Sequence, residues 1–157
     1  MPAEIVIRHM VKADINGIVQ TFAPWHKDRS QYESYLDEQQ RGERVILVAL
    51  HKRKIVGYVT IVWKSSYEPF RQAGIPEIID LNVITEYQKC GIGTDLIRAA
   101  ERIAIEHNIS TIGIGAEQSP AYAAANRLYL KLGYSPDGRG VTQHDNELHF
   151  MKNLRKE

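Results

Sequence analysis

Residues 76–83, PEIIDLNV, have the branched apolar composition of a strand, and a few residues later QKCGIGT leads into an amphipathic helix. That junction constrains the fold more than any other stretch. A helix leaves its first N–H groups without intrahelical acceptors, and its dipole places about half a positive charge beside them. Gly91 and Gly93 let a bulky group approach the main chain closely. No acidic residue lies between Gln88 and Thr94, and Lys89 adds a cation. By composition the segment is a phosphate cradle. It is not a nucleoside-triphosphate loop, which needs G-x-x-x-x-G-K-[ST]. A dinucleotide fingerprint needs a third glycine at position 96, where Leu96 stands.

The rest of the chain alternates strands and helices without a repeat or long linker. Ile5, Ile7 and Met10 suggest a first strand. Asp14 is placed to cap a helix to about Ala23, with Ile15, Ile18, Val19 and Phe22 on one face and Pro24 ending it. A second helix is predicted from Asp28 to Gln40, with Tyr32, Tyr35 and Leu36 inward and Gly42 as its stop. RVILVAL, the polar turn HKRK and IVGYVTIVW read as a hairpin. Lys64 to Gly74 reads as a loop exposing Tyr67 and Phe70. In the strand that follows, Glu77, Ile79, Leu81 and Val83 share one face, and Ile78, Asp80 and Asn82 the other. The helix after the glycines buries Ile92, Leu96, Ala100, Ile103 and His107, leaving Asp95, Arg98, Glu101, Arg102 and Glu106 wet. TIGIG is another strand. Ser119, Pro120 and Gly133 bracket a last helix. Pro136-Asp137-Gly138 marks a turn, and Arg139–Gln143 is expected to pair with Glu147–Leu154 across His144-Asp145-Asn146.

Composition narrows the class. A chain of 157 residues, 43% hydrophobic and 25% charged, makes about one domain with a substantial core. Twenty basic side chains against 19 acidic give a net charge of +1, which argues against bulk capture of nucleic acid. The single cysteine, Cys90, excludes an internal disulfide and fits a reducing compartment. Glu4 and Arg8 interrupt any signal-peptide core, and the longest apolar run, Val45 to Leu50, is far too short to span a membrane. A soluble, cytoplasmic, single-domain protein is expected.

Gln88-x-x-Gly91-x-Gly93 on a strand-to-helix turn resembles the pyrophosphate loop of the GNAT superfamily of acetyl-CoA-dependent N-acetyltransferases. Downstream, Ala125-Asn126-Arg127-Leu128-Tyr129-Leu130-Lys131-Leu132-Gly133-Tyr134 is similar to that family's late helix, in the right order and with one strand between. The resemblance spans about Val45 to Leu154, and the first 44 residues match only in element order. It implies one GNAT domain over residues 1–157, of the α/β (α+β) class: a mixed, mostly antiparallel central sheet with a splayed parallel strand pair, flanked by helices. It implies acetyl-CoA as co-substrate, with the backbone of Leu81, Asn82 and Val83 pairing with pantetheine as an added strand does. The pyrophosphate would sit on Gln88, Lys89, Cys90, Gly91, Ile92, Gly93 and Thr94. Tyr122 stands where the family often has an Asn holding the pantetheine arm. Asn126, one helical turn on, is the side chain that can replace it.

The resemblance also implies direct attack of a primary amine, from a small molecule or a peptide, on the thioester. Tyr129 matches the family's helix tyrosine, which protonates or hydrogen-bonds the leaving thiolate. A phenol is a weaker acid than a thiol, so full transfer is uphill by about 2 kcal/mol unless local shifts assist. Three carboxylates compete as base for an amine that is almost fully protonated at neutral pH. Glu117 has the separation from Tyr129 seen in ribosomal-protein N-terminal acetyltransferases. Glu77 lies six residues before Val83, as in some lysine acetyltransferases. Asp80 and a water chain remain alternatives. Trp25, Tyr32, Tyr35, Trp63, Tyr67 and Phe70 are candidates for the acceptor pocket. Cys90 is expected to be inert, and no metal site is expected, since no two histidines are four apart and His144 and His149 straddle a turn. No nucleic acid or membrane partner is expected, and a homodimer is common among relatives. The competing reading is a non-catalytic acyl-CoA binding module, towards which Tyr122 leans.

Overall fold

A computed structural model describes residues 4–25 and 28–155. Seven strands are hydrogen-bonded in the order β1-β2-β3-β4-β5-β7-β6. They are β1 Ile5–His9, β2 Arg44–His51, β3 Lys54–Val62, β4 Glu77–Val83, β5 Thr111–Glu117, β6 Ser135–Pro136 and β7 Glu147–Asn153. The helices are α1 Ile15–Thr21, α2 Arg29–Gln40, α3 Glu68–Ala73, α4 Ile92–Glu106 and α5 Ala123–Lys131. β4 and β5 run parallel, whereas β1 with β2, β2 with β3, β5 with β7 and β6 with β7 are antiparallel. The sheet is therefore mixed, as expected. Among the described residues no helix is long and apolar enough to cross a membrane.

The chain divides into two compact units, residues 1–62 with 80–100 and residues 63–79 with 101–157. In the first, β2 and β3 are joined through Lys52 and Arg53, whose φ angles of 50° and 69° match the twist of a two-residue hairpin. α2 packs on β2 and α1 on β3. Tyr32 meets Tyr58 edge-on at 5.6 Å, and Phe22 meets Tyr58 edge-on at 4.9 Å. Tyr32, Tyr35 and Leu36 point inward, as the spacing predicts. Asp28 caps α2 by accepting from the Gln31 amide. Asp14 does not cap α1 in that way. Its carboxylate accepts a two-pronged Arg8 fork at 2.7 and 2.9 Å and the Val11 amide at 2.8 Å. α1 stops at Thr21, two residues early, and a 3₁₀ turn carries Pro24.

The second unit corrects five expectations. Residues 68–73 form α3, with Pro69 in its first turn and Gly74 at φ 70° closing it. Phe70 is 1% exposed, not on the surface, because its ring fills the space that Gly113 leaves. Residues 139–143 do not form a strand. Gly138 and Gly140 turn the chain, only Thr142 bridges to Glu147, and Ser135–Pro136 pairs with β7 instead. Glu101 is buried, where Tyr134 Oη donates to it at 2.7 Å and Lys152 Nζ at 3.0 Å. His107 lies past the end of α4, exposed, with its ring 4.7 Å from that of Trp63.

Candidate functional site

β4 does not keep its two-face alternation. Asp80 has φ 56°, a left-handed conformation that costs a non-glycine residue about 1–3 kcal/mol and interrupts the alternation. The Tyr35 hydroxyl donates to Asp80 Oδ2, and the Arg44 guanidinium lies 4.0 Å above the Tyr35 ring. Burial and the Asp80 charge push the Tyr35 phenol far above its ordinary value. Asp80 therefore sits in a tyrosine network of the first unit.

After β4 the Ile84 amide bonds to Val56 and a 3₁₀ turn spans Thr85–Tyr87. The Gln88 side chain reaches back and donates to the Val83 carbonyl at 2.9 Å, which ties the loop to the strand end. Lys89 at φ 65° and Gly91 at φ 86° then turn the chain into α4. The first helical bond runs from the Asp95 amide to the Gly91 carbonyl at 3.0 Å. Among the described residues, no protein atom accepts from the amides of Lys89, Gly91, Ile92, Gly93 or Thr94. These donors are the orphans of a helix start, and their dipole and Lys89 give the loop a positive field.

The second unit holds Tyr129, Glu117, Glu77, Tyr122 and Asn126. Tyr129 is 6% exposed, between the rings of Tyr134 at 6.5 Å and Phe150 at 6.3 Å. Burial, and secondarily the Glu147 charge, push its phenol up to about 12. Burial thus moves the phenol further from the range of a thiol, which makes full proton transfer to a thiolate still less favourable. Glu117 accepts from the Ser119 hydroxyl at 2.7 Å. The Asn126 amide donates to the carbonyls of Glu117 and Tyr122 and accepts from Gln118 Nε2 at 2.7 Å, so its hydrogen-bonding groups are engaged inside α5 and its approach. Tyr122 is exposed.

Glu77 lies 5% exposed at the start of β4. Ser65 Oγ donates to its Oε1 at 2.5 Å, and burial holds its carboxyl above the ordinary carboxylate range. Its other oxygen faces two residues that motif spacing did not reveal, Glu147 and His149. The structure thus gathers Glu77 with β7, keeps Glu117 in a local turn, and places Asp80 in the other unit. The available signal was Glu147-x-His149, two positions that share one face of a strand. Of the pocket aromatics, Tyr32, Tyr35 and Phe70 are core side chains, while Trp25 packs on Phe22 and Tyr67 stacks on His149.

Comparison with known proteins matches this architecture. An N-acetyltransferase from Staphylococcus aureus Mu50 superposes with a TM-score of 0.78 at 18% identity, covering 98% of this chain and 100% of that one. A ribosomal-protein-alanine N-acetyltransferase from Brucella melitensis gives 0.75 at 21% identity, covering 94% and 99%. The yncA acetyltransferase of Salmonella typhimurium, solved with its cofactor acetyl-CoA, gives 0.75 at 20% identity, covering 99% and 96%. A comparison with curated protein sequences returns no match. The sequence profile of the acetyltransferase (GNAT) family matches residues 13–134, and the chain belongs to that family.

Proposed function

We propose that the protein transfers the acetyl group of acetyl-CoA to a primary amine of a small molecule or a peptide, as one acetyltransferase domain over residues 1–157. One observation carries this reading: five amides at the start of α4 have no acceptor within the protein, in a loop with no acidic residue. Such donors suit a diphosphate, and a family member of the same fold was solved with acetyl-CoA. Lys89, Gly91, Ile92, Gly93 and Thr94 take the diphosphate through their main chain, with Cys90 as a bystander thiol. Gln88 positions the loop through Val83. The main chain of Leu81, Asn82 and Val83 offers an edge to the pantetheine arm.

Acetyl-CoA supplies an activated thioester, and the amine attacks its carbonyl directly. Tyr129 keeps its own proton and hydrogen-bonds the sulfur as negative charge develops there. Its hydroxyl makes no hydrogen bond among the described residues, which leaves it free for that contact. Among the carboxylates, Glu77 is assigned to the acceptor amine: like Glu117 and Asp80 it accepts one hydroxyl hydrogen bond, from Ser65, but burial raises its carboxyl above the ordinary range and makes it a stronger base. Tyr122 and Asn126 border the cofactor arm without the usual Asn contact. The test is release of CoA thiol from acetyl-CoA across a panel of amines, polyamines, aminoglycosides, amino acids and peptides. Turnover with at least one is expected. Silence across the panel with CoA binding intact would make the protein an acyl-CoA binding module.

A further inference from the structure

We propose that Tyr35 is a positioning residue for the cofactor arm: its hydroxyl holds Asp80 in a left-handed conformation, and that conformation sets the main chain of Leu81, Asn82 and Val83 as an edge for pantetheine. This rests on the acetyl-transfer reading above. Asp80 has φ 56° in the middle of β4. A side chain resists that region, and aspartate resists it less than most. One backbone torsion redirects every residue after it, so the orientation of Leu81 to Val83 follows from Asp80. The ladder with β5 holds β4 earlier, at Glu77 and Ile78. The far end of the segment has its own anchors. The Ile84 amide bonds to the Val56 carbonyl at 3.0 Å, and Gln88 donates to the Val83 carbonyl at 2.9 Å. Gly57 on β3 leaves room beside them, since a Cβ there would lie 3.0 Å from the Asn82 carbonyl oxygen. The near end depends on Asp80.

The hydrogen-bond pattern fixes which way the Tyr35 hydroxyl points. Gln31 Nε2 donates to Tyr35 Oη at 2.6 Å, so the hydroxyl's single proton goes to Asp80 Oδ2. The ring is held as firmly as its tip. Arg44 lies over one face at 4.0 Å and is itself anchored by Glu38 at 2.6 Å and Thr60 at 2.9 Å. Tyr32 meets the ring edge-on at 6.2 Å. A phenol donating to a carboxylate makes a charge-assisted bond, of the strength that offsets a left-handed φ. Burial, and secondarily the Asp80 charge, push the phenol far above its ordinary value, so it keeps the proton it donates.

Tyr35 acts through Asp80 and has no part in the chemistry. Without its proton, Asp80 relaxes toward ordinary strand torsions, and only a fraction of molecules presents the edge in its binding orientation. Affinity for the arm falls by that fraction. The diphosphate loop lies beyond Gln88 and is pinned separately, through Val83, so the loss is confined to the arm.

The test compares, by calorimetry, CoA with adenosine 3′-phosphate 5′-diphosphate, which has the same nucleotide and diphosphate but no pantetheine arm. Tyr35→Phe keeps the ring under Arg44 and removes the donor. It should raise the Kd for CoA about tenfold and change that for the nucleotide by less than about twofold. Adding Asp80→Gly should bring CoA back to within about threefold of wild type, because glycine adopts a positive φ unaided. A second pair does not depend on how well Tyr35→Phe folds: Asp80→Ala should bind CoA about tenfold more weakly than Asp80→Gly. Unchanged CoA affinity in Tyr35→Phe, an equal loss for both ligands, no rescue by glycine, or alanine matching glycine at position 80 would overturn the positioning role and leave the acetyl-transfer reading standing. A wild type that binds neither ligand would remove that reading and this proposal with it.

Discussion

Burial lifts the Tyr129 phenol to about 12, and that value limits what the side chain can do. A hydrogen bond to developing thiolate needs only the neutral phenol, which persists across the working range. Tyr129→Phe should therefore lower kcat about 100-fold while the affinity for CoA stays within about twofold, read by steady-state kinetics and calorimetry. In the wild type, kcat should show no alkaline loss from this group below about pH 10, because the phenol ionises near 12. Asp14 makes the opposite case, a carboxylate held below its usual range first by the Arg8 hydrogen bonds and then by the Val11 amide, against burial. A depressed folded value means the stabilisation is present above the unfolded value and lost as pH falls through the folded one. Asp14→Asn should lower stability by about 1–2 kcal/mol at pH 7, discounted for the half-exposed Arg8, and the gap should close in urea titrations as pH falls below the ordinary carboxylate range. A gap that persists in acid would mean that the loss is one of shape, not of charge.

At the scale of elements, the start of α4 carries the functional argument. A glutamate at position 93 would set a side chain and a negative charge among amides that have no acceptor. Gly93→Glu should raise the Kd for CoA by more than about 100-fold in calorimetry, with the melting temperature lowered only slightly. Unchanged affinity would show that the diphosphate binds elsewhere. This junction was readable in the sequence because all its signals are local: strand pattern, glycines, missing acids. α3 was not, although Pro69 and Gly74 mark its ends, because one and a half turns show no periodicity. Glu101 fell on the wet side by spacing, yet its partners Tyr134 and Lys152 come from 33 and 51 residues downstream. The surroundings of His149 are hidden for the same reason. Its neighbours Glu77 and Gly115 sit on other strands, and only the sheet register brings them together.

For the whole molecule, each compact unit is assembled from two separated stretches of chain, and β4 and α4 each contribute residues to both units. Local patterns specify the elements, but not this partition. A ligand that binds only the folded chain stabilises it by mass action, whichever unit supplies the contacts. At a hundred times its Kd, acetyl-CoA adds about 2.7 kcal/mol. A domain of this length shifts by roughly 2–4 °C per kcal/mol, so the melting temperature should rise by roughly 5–11 °C. NAD at the same concentration should leave it unchanged, because Leu96 fills the position where a dinucleotide fold needs glycine, 0% exposed in the core of the first unit. The two ligands share a diphosphate, so the contrast tests more than phosphate affinity. Equal shifts would mean that the loop binds any diphosphate and that the thioester arm is not recognised. No shift with either would mean that the free amides at the head of α4 do not mark a ligand site.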